Sequence, residues 1–337
     1  MKSIGFTRSL PIEEADSFIE IETPTPTPGP HDLLVEIKAI SVNPADAKVR
    51  MRSAVDKVLD EPLVIGYDAV GVVVATGSDV SLFKTGDEVW YAGDASRPGT
   101  NTEMHLVDER VVGPKPKSLT NAQAAAMPLT SLTAWEMLFD RLGIKQGGGE
   151  GDTLLVIGGA GGVGSMTIQI AKQLTKLKIV ATASRPETEA WCKDLGADIV
   201  VDHRDLLASM KAKGLKDVKY IVQYADLAQH WDAMCELVAP QGKIGTIVET
   251  DEPINISQLQ GKSVALCWEL MFTRVMHQTE DMAEQNKILT RIAKMVDEGV
   301  IRTTLQQTLN GFTVETMKEA HRRIEQANVI GKLVIEY

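Results

Sequence analysis

Cysteine is scarce in this sequence. Only three occur among the 337 residues, Cys192, Cys235 and Cys267, and they are widely spaced. An odd number of scattered cysteines suits reduced thiols better than a disulfide framework. No Cys-X-X-Cys pair is present.

Long apolar runs and an excess of basic residues are lacking as well. No segment approaches about 18 uninterrupted apolar residues, and no apolar run follows the first basic residues. We therefore expect a cytoplasmic protein that is neither exported nor inserted into a membrane. Lys and Arg number 35 against 46 Asp and Glu, a formal net charge of -11. This acidity opposes binding to nucleic acid or to an anionic membrane, so any phosphate must be bound locally.

What is present predicts a two-domain globular protein. The length and a hydrophobic content of 44% allow a large buried core. Up to about Gly113, short β-branched segments bounded by Gly, Pro, Asn or Asp predict a β-rich domain. From Thr153 to about Glu249, five strand-like segments alternate with helical ones. This alternation predicts a doubly wound parallel sheet and an α/β fold class.

The turn after the first of these strands is rich in glycine. In "VIGGAGGVGS", Gly159, Gly161 and Gly164 have the Gly-X-Gly-X-X-Gly spacing between a predicted strand and a predicted helix. Such a turn lets a dinucleotide pyrophosphate approach the backbone and the positive end of the helix. Tight packing alone would also select glycine, but the flanking strand and helix favour a nucleotide cradle. Its predicted residues are Gly159, Ala160, Gly161, Gly162, Val163 and Gly164.

The end of the next strand predicts which dinucleotide is bound. An acidic residue there would bond to the adenosine ribose of NAD, whereas a hydroxyl with a nearby arginine accommodates the 2′-phosphate of NADP. The strand ends in "ATASRPET", with Ser184 and Arg185 at the turn and no carboxylate before Glu187. We therefore predict NADP(H) as the cofactor. The alternative is that Arg185 is only a solvated surface arginine.

Six motifs in order resemble those of the medium-chain dehydrogenase/reductase superfamily, on its zinc-free quinone oxidoreductase side. Within it the chain is similar to the subgroup labelled "zinc-type alcohol dehydrogenase-like", and the likeness covers nearly the whole sequence. The motifs are "SVNPADAKVR" (41–50), "IGYDAVGVV" (65–73), "FKTGDEVW" (83–90), "AAAMPLTSLTAWEML" (124–138), "GGAGGVGS" (158–165) and "LGADIVVDH" (195–203).

The resemblance implies a domain division. It gives a GroES-like β-barrel catalytic domain split between residues 1–123 and 269–337, with a Rossmann NADP-binding domain at 124–268 between its two parts.

The resemblance also bears on zinc. Zinc-dependent members hold their catalytic metal with Cys, His and Cys, and the matching positions here are Asn43, Tyr67 and Leu129. None is a good zinc ligand, so we expect no catalytic zinc. The run of four cysteines that forms the structural-zinc lobe in such members is missing too.

The same likeness implies roles for individual residues. Asn43 is expected to donate its amide to the substrate carbonyl or to contact the nicotinamide ribose. Tyr67 is expected to donate a proton or line the pocket, although a packed tyrosine with a bonded hydroxyl explains it equally well. Thr133 is placed near the nicotinamide, and His203 is placed beside the adenosine phosphate.

These expectations favour one activity over two others. Without a metal Lewis acid, reduction of a quinone or of the activated C=C bond of an enone or enal is easier than reduction of a simple ketone. The alternatives are a zinc-type alcohol or aldehyde dehydrogenase, and a non-catalytic nucleotide-binding protein. We also expect a homodimer, because "SVALCW" (263–268) would otherwise leave an apolar sheet edge, although it could equally pair within the subunit.

Overall fold

The architecture comes from a computed structural model that describes residues 1–337. The chain divides into two compact units, one formed by Met1–Leu129 with Phe272–Tyr337 and the other by Thr130–Met271. These bounds differ from the predicted ones, 1–123, 124–268 and 269–337, by a few residues. The first difference arises because the alanine-rich helix at Asn121–Ala125 packs on strands of the first unit.

The N-terminal segment is dominated by strands. Its single longer helix, α1 (Pro44–Arg52), begins at a proline, whose missing N–H is not needed at that position. Thr120 and Gln123 form a capping box at the start of α2 (Asn121–Ala125). The strands are β1 (Lys2–Gly5), β2 (Ile19–Glu22), β3 (Asp32–Ser41), β4 (Asp68–Thr76), β5 (Glu88–Tyr91), β6 (Met104–Asp108) and β7 (Val112–Pro114).

The second unit alternates strands with helices. Helix α3 (Pro128–Trp135) begins at a proline and continues as a π-helix, Glu136–Arg141. The strands are β8 (Thr153–Ile157), β9 (Lys178–Thr182), β10 (Ile199–Val201), β11 (Val218–Gln223), β12 (Val238–Thr246) and β13 (Ala265–Trp268). The helices are α4 (Gly162–Leu174), α5 (Pro186–Asp194), α6 (Leu206–Ala212) and α7 (Leu227–Leu237).

These six strands form one parallel sheet in the order β10-β9-β8-β11-β12-β13. The order reverses between β8 and β11, and in open α/β sheets such a switch point marks the ligand-binding edge. The predicted doubly wound α/β fold is confirmed. The segment "SVALCW" pairs with β12 within the chain, as one of the two alternatives had it, and β13 is the last strand of the sheet.

The C-terminal segment returns to the first unit. It contains α8 (Thr273–Met276), α9 (Glu284–Asp297), α10 (Val314–Glu325), β14 (Leu305–Asn310) and β15 (Lys332–Glu336). Strand β15 pairs antiparallel with β3, so the last strand of the chain enters the seven-stranded sheet of the N-terminal segment. That sheet has the order β14-β15-β3-β4-β5-β7, with β6 paired to β3. The pairing brings β15 beside the β3–α1 junction and the start of β4.

The chain has neither a membrane-spanning helix nor a disulfide bond. No helix of the chain combines the length and the apolar character needed to cross a membrane. Cys192, Cys235 and Cys267 are all free thiols.

Candidate active site

A dry polar cluster lies in the first unit where α1, β4 and β15 begin. Its side chains are Asn43, Asp46, Asp68 and Lys332, and each is at most 4% exposed. Asn43 caps α1, and its backbone N–H donates to Asp46 Oδ2 at 2.7 Å. The cap therefore fixes the turn that carries Asn43 into the interior.

The Asp68 carboxylate joins the parts of this cluster. Its Oδ1 accepts from the backbone N–H of Leu129 at 2.7 Å, and its Oδ2 accepts from Asn43 Nδ2 at 2.9 Å. The same Oδ2 lies 3.1 Å from Lys332 Nζ. A buried carboxylate is tolerated only when paired and hydrogen-bonded, and Asp68 meets both conditions.

Lys332 is the functional candidate that sequence reasoning missed. Its ammonium donates to Asn43 Oδ1, to Asp68 Oδ2 and, at 3.5 Å, to the carbonyl of Val42. The available signal was a lysine that opens an apolar strand, "KLVIE", where a charge needs an internal partner. Its partners precede it by more than 260 residues, so no local pattern identified them.

Burial has the largest effect on the pKa of Asp46 in this cluster. Burial raises the pKa of Asp46 from 3.8 to about 7, because the lowering effects of the Asn43 hydrogen bond and of Lys332 are smaller. One oxygen of this carboxyl, Oδ1, is buried without a hydrogen-bond partner. Asp46 is therefore able to hold a proton near neutral pH inside the unit.

Tyr67 lies directly before Asp68 and borders the cluster. Gly66 precedes it with φ +112°, and a Cβ there would lie 2.5 Å from Asn101 Oδ1, so only glycine fits this turn. The Tyr67 ring packs on Phe272 with centroids 4.6 Å apart, and burial raises the pKa of its phenol. Its hydroxyl makes no hydrogen bond within the protein, which leaves its donor available to a bound molecule.

The Asn43 carboxamide, unlike the Tyr67 hydroxyl, is hydrogen-bonded within the protein. One Nδ2 hydrogen is directed to Asp68 and the other to the carbonyl of Ser41 at 3.3 Å, while Oδ1 accepts from Lys332. All of its polar groups are thus engaged inside the protein. The predicted contact of Asn43 with substrate or nicotinamide ribose stays a prediction, and it requires one of these bonds to be exchanged.

The glycine turn of the second unit forms a close-packed cradle. A Cβ on Gly164 would lie 2.2 Å from the carbonyl oxygen of Gly158 and 2.8 Å from the Gly159 Cα, so the helix start packs directly on the turn. Around Gly161 the nearest atom to an added Cβ is 3.5 Å away. Gly161 caps α4 without a side chain, and the first amides of the helix lack intrahelical partners. These amides and the positive helix end fit a pyrophosphate.

Polar and basic side chains gather at the end of β9 and after β10. The imidazole Nε2 of His203 lies 3.0 Å from Ser184 Oγ, so these two predicted residues are brought together. Arg185 caps α5, and its Nε lies 3.0 Å from Glu187 in a half-exposed ion pair. Arg204, which sequence reasoning missed, donates to the carbonyl of Ser184 at 3.4 Å. Its only signal was its place after His203.

Thr133 is buried within α3 of the second unit. Around the cradle, Ser165 on α4 accepts from the Trp191 indole at 2.8 Å, and Thr167 bonds to the Tyr224 hydroxyl at 2.9 Å. These bonds tie α4 to the elements on either side of it, which holds the helix start in place.

Comparison with known proteins identifies the family. Residues 29–127 match the alcohol dehydrogenase GroES-like domain, and residues 195–335 match the zinc-binding dehydrogenase model. A "zinc-type alcohol dehydrogenase-like protein" of Staphylococcus epidermidis is 41% identical over 99% of both chains. The chain belongs to the medium-chain dehydrogenase/reductase superfamily. The predicted resemblance, its GroES-like domain and the oxidoreductase class are confirmed.

Further relatives and solved structures are similar to this chain over most of its length. A crystal structure from Rhizobium etli, provisionally described as a zinc-dependent alcohol dehydrogenase, is 47% identical with a TM-score of 0.95, over 100% of this chain and 98% of that one. A human mitochondrial NAD(P)H oxidoreductase is 31% identical over 91% of this chain and 82% of its own. The Escherichia coli quinone oxidoreductase, solved with NADPH, shares the fold over both full chains with a TM-score of 0.82 at 23% identity.

Although several relatives are named for zinc, the donor set of the buried cluster does not fit that metal. The three positions matched to zinc ligands carry a carboxamide, a phenol and an aliphatic side chain, those of Asn43, Tyr67 and Leu129. The Lys332 ammonium, which would repel a metal cation, is bonded to the Asp68 carboxylate beside them. No group of three or more His, Cys, Asp or Glu side chains in the chain could hold a metal ion.

Proposed function

We propose that this protein is an NADPH-dependent oxidoreductase that reduces a quinone or the activated C=C bond of an enone or enal without zinc. The observation that carries the proposal is the buried cluster, in which the cation beside Asp68 is an ammonium and the Tyr67 hydroxyl keeps a free donor. A conjugated acceptor suits such a site, because it spreads the developing negative charge that a Lewis acid would otherwise stabilise.

NADP(H) fits the residues of the second unit. The backbone of Gly159, Ala160, Gly161, Gly162, Val163 and Gly164 would hold the pyrophosphate, and Ser184, Arg185 and His203 would hold the 2′-phosphate. Thr133 is proposed to lie near the nicotinamide. When bound, the cofactor supplies the hydride. The name of the human relative, an NAD(P)H oxidoreductase, supports this assignment.

Tyr67 is proposed to orient the substrate or give it a proton through its hydroxyl. Its raised pKa keeps the phenol protonated at neutral pH, so it acts as a hydrogen-bond donor to an acceptor oxygen. Asn43 is proposed to line the pocket beside Tyr67. When one of its internal hydrogen bonds is exchanged, its amide would donate to the substrate carbonyl or contact the nicotinamide ribose.

The test is NADPH oxidation by the purified protein with a panel of quinones, enals and enones. Turnover with at least one acceptor is expected, and Tyr67→Phe should lower kcat. Lys294→Met, on an exposed face of α9, is the matched control and should behave like wild type. NADPH binding without turnover on any acceptor would refute the enzyme assignment and favour a nucleotide-binding protein.

The second candidate is an alcohol or aldehyde dehydrogenase, which the names of the curated relatives favour. Oxidation of primary alcohols with NADP⁺, together with zinc analysis of the purified protein, separates the two. Stoichiometric zinc with alcohol turnover would replace our proposal, whereas activity that persists in a zinc-free preparation supports it.

We further propose a cytoplasmic homodimer formed through β13. This strand ends the parallel sheet, and Trp268 and Leu270 are more than half exposed beside it. Covering Val264–Trp268 with a second copy would remove an apolar edge. Light scattering should give twice 36.7 kDa. A mass equal to that of one chain would rule the dimer out.

A further inference from the structure

We infer that Lys332 is a positioning residue of the reaction: its ammonium fixes the arrangement of Asn43 and Asp68 and thereby the place of Tyr67. The inference rests on the proposed function, since it concerns the same site. It assigns to one buried lysine on the last strand of the chain a role in organising groups from the first 70 residues.

The ammonium is saturated by oxygens from different elements. It has three N–H donors, and they meet three acceptors: Asn43 Oδ1, Asp68 Oδ2 at 3.1 Å and the Val42 carbonyl at 3.5 Å. The lysine is 4% exposed, so water does not replace these bonds. A single side chain thus ties the start of β15 to the β3–α1 junction and to the start of β4.

The bonds of the cluster have only one consistent direction. Because the ammonium can only donate, Asn43 must turn its oxygen towards Lys332 and its nitrogen towards Asp68. Asp68 then has its other oxygen free to accept from the Leu129 amide. Without the ammonium, Asn43 Oδ1 would be buried without a donor, and only the bonds from Nδ2 to Asp68 and to the Ser41 carbonyl would still hold the amide.

Tyr67 depends on this arrangement through the chain. It is bonded covalently to Asp68 and preceded by a glycine in a conformation that only glycine adopts readily. Its hydroxyl has no internal bond that would hold the ring if Asp68 moved. The positive charge of the ammonium also offsets the negative charge of the Asp68 and Asp46 carboxyl groups. Without it, these two groups would disfavour negative charge on a reduced substrate.

Two variants separate positioning from charge balance. Lys332→Met keeps the aliphatic stem and removes the ammonium, which leaves Asp68 buried without its cation. The double variant Lys332→Met/Asp68→Asn removes both charges, so this pair no longer leaves an unbalanced buried charge, but Asn43 Oδ1 still lacks the donor that ties it to β15. Lys294→Met serves as the control for loss of an exposed lysine.

We expect Lys332→Met to lower kcat by about 100-fold, the size of effect that slight misplacement of reacting groups produces. The KM for NADPH and the Kd for NADPH should each stay within about twofold of the wild-type value, because the glycine cradle lies in the other unit. The double variant should regain most of the thermal stability that Lys332→Met loses, yet its kcat should remain low.

Three outcomes decide the matter. Recovery of stability without recovery of kcat supports the inference. Wild-type kcat in Lys332→Met, or full recovery of kcat in the double variant, would overturn it, since the lysine would then serve stability or charge balance alone. If Lys332→Met fails to fold, the double variant is compared with Asp68→Asn alone: a lower kcat in the double variant supports the inference, and an equal kcat in the two overturns it. Failure of the proposed function is distinguishable, because it appears as absent turnover in the wild-type protein.

Discussion

The buried cluster and the glycine cradle solve opposite problems. The cluster buries the ionisable groups of Asp46, Asp68 and Lys332 and pairs Asp68 with Lys332. The cradle has no charged side chain in its turn and offers backbone amides instead. Two basic residues lie beside it, Arg185 and Arg204, whose side chains are 43% and 68% exposed. They pair with nearby carboxylates, those of Glu187 and Asp202.

This difference teaches where each region is sensitive. Removing one member of a buried pair leaves its partner charged and desolvated, which is a large loss. Removing one exposed arginine changes an interaction that water and salt already weaken. The cradle is instead sensitive to added atoms, because its turn and helix are in direct contact.

Asp68→Ala is expected to be the most damaging single change. It removes the acceptor of Asn43, Leu129 and Lys332 and leaves the ammonium buried without a counter-charge. We expect a loss of about 3–5 kcal/mol in the free energy of unfolding, measured by urea denaturation. Glu189→Ala, which breaks the exposed pair with Lys193, should lose far less, because water and salt screen that pair. Equal losses in the two variants would remove the contrast between buried and exposed charge.

The protonation of Asp46 should make stability depend on pH. Its folded pKa of about 7 lies above its ordinary value of 3.8, so the folded protein binds an extra proton between these values. The stabilising effect of that proton is fully present below the lower value and is lost as the pH rises through about 7. Asp46→Asn removes the titration. The unfolding free energy of wild type should therefore fall relative to this variant from about pH 4 to about pH 8, and parallel profiles would show that Asp46 is not buried as described.

Gly164→Ala tests the close packing of the cradle. Its added methyl group would meet the Gly158 carbonyl at 2.2 Å, so the turn must shift. We expect a loss of about 1–3 kcal/mol in stability and weaker NADPH binding, measured by denaturation and by cofactor fluorescence. Gly261→Ala is the matched control, because nothing lies within 4 Å of a Cβ there. Wild-type stability and NADPH binding in Gly164→Ala would mean that the turn at Gly158 yields easily to the added methyl group.

Arg185→Ala is expected to have the smallest effect and the most selective one. Its side chain is 43% exposed, so loss of its bond to a 2′-phosphate should weaken NADPH binding by about tenfold and NADH binding hardly at all. Glu187→Ala frees Arg185 from its carboxylate and should leave NADPH binding equal or tighter. Equal losses for both cofactors in Arg185→Ala would show that Arg185 does not contact the phosphate.

Much of the fold was predictable because its signals are local. Alternating strands and helices predicted the parallel sheet, and Gly159, Gly161 and Gly164 predicted the strand–turn–helix that the structure contains. His203 and Ser184 were both predicted at the nucleotide end of the sheet, and the structure places them in contact.

The polar cluster was only partly predictable, because its bonds are not local. Asn43 and Tyr67 were singled out by resemblance. Lys332 was not considered, since its partners lie at the other end of the chain. The bonding state of the Asn43 amide was equally hidden, because it depends on which groups a folded sheet brings within 3 Å of it.

The sequence by itself determined the α/β class, the glycine turn and the family, because periodicity and short motifs depend on neighbours along the chain. Only the tertiary structure decided which charges share the interior. Pairing of β15 with β3 brings Lys332 to Asp68, and this contact exists only once the two ends of the chain are in one sheet. The physical reason is that a buried charge is stable only beside its partner, and the fold, not sequence proximity, supplies that partner.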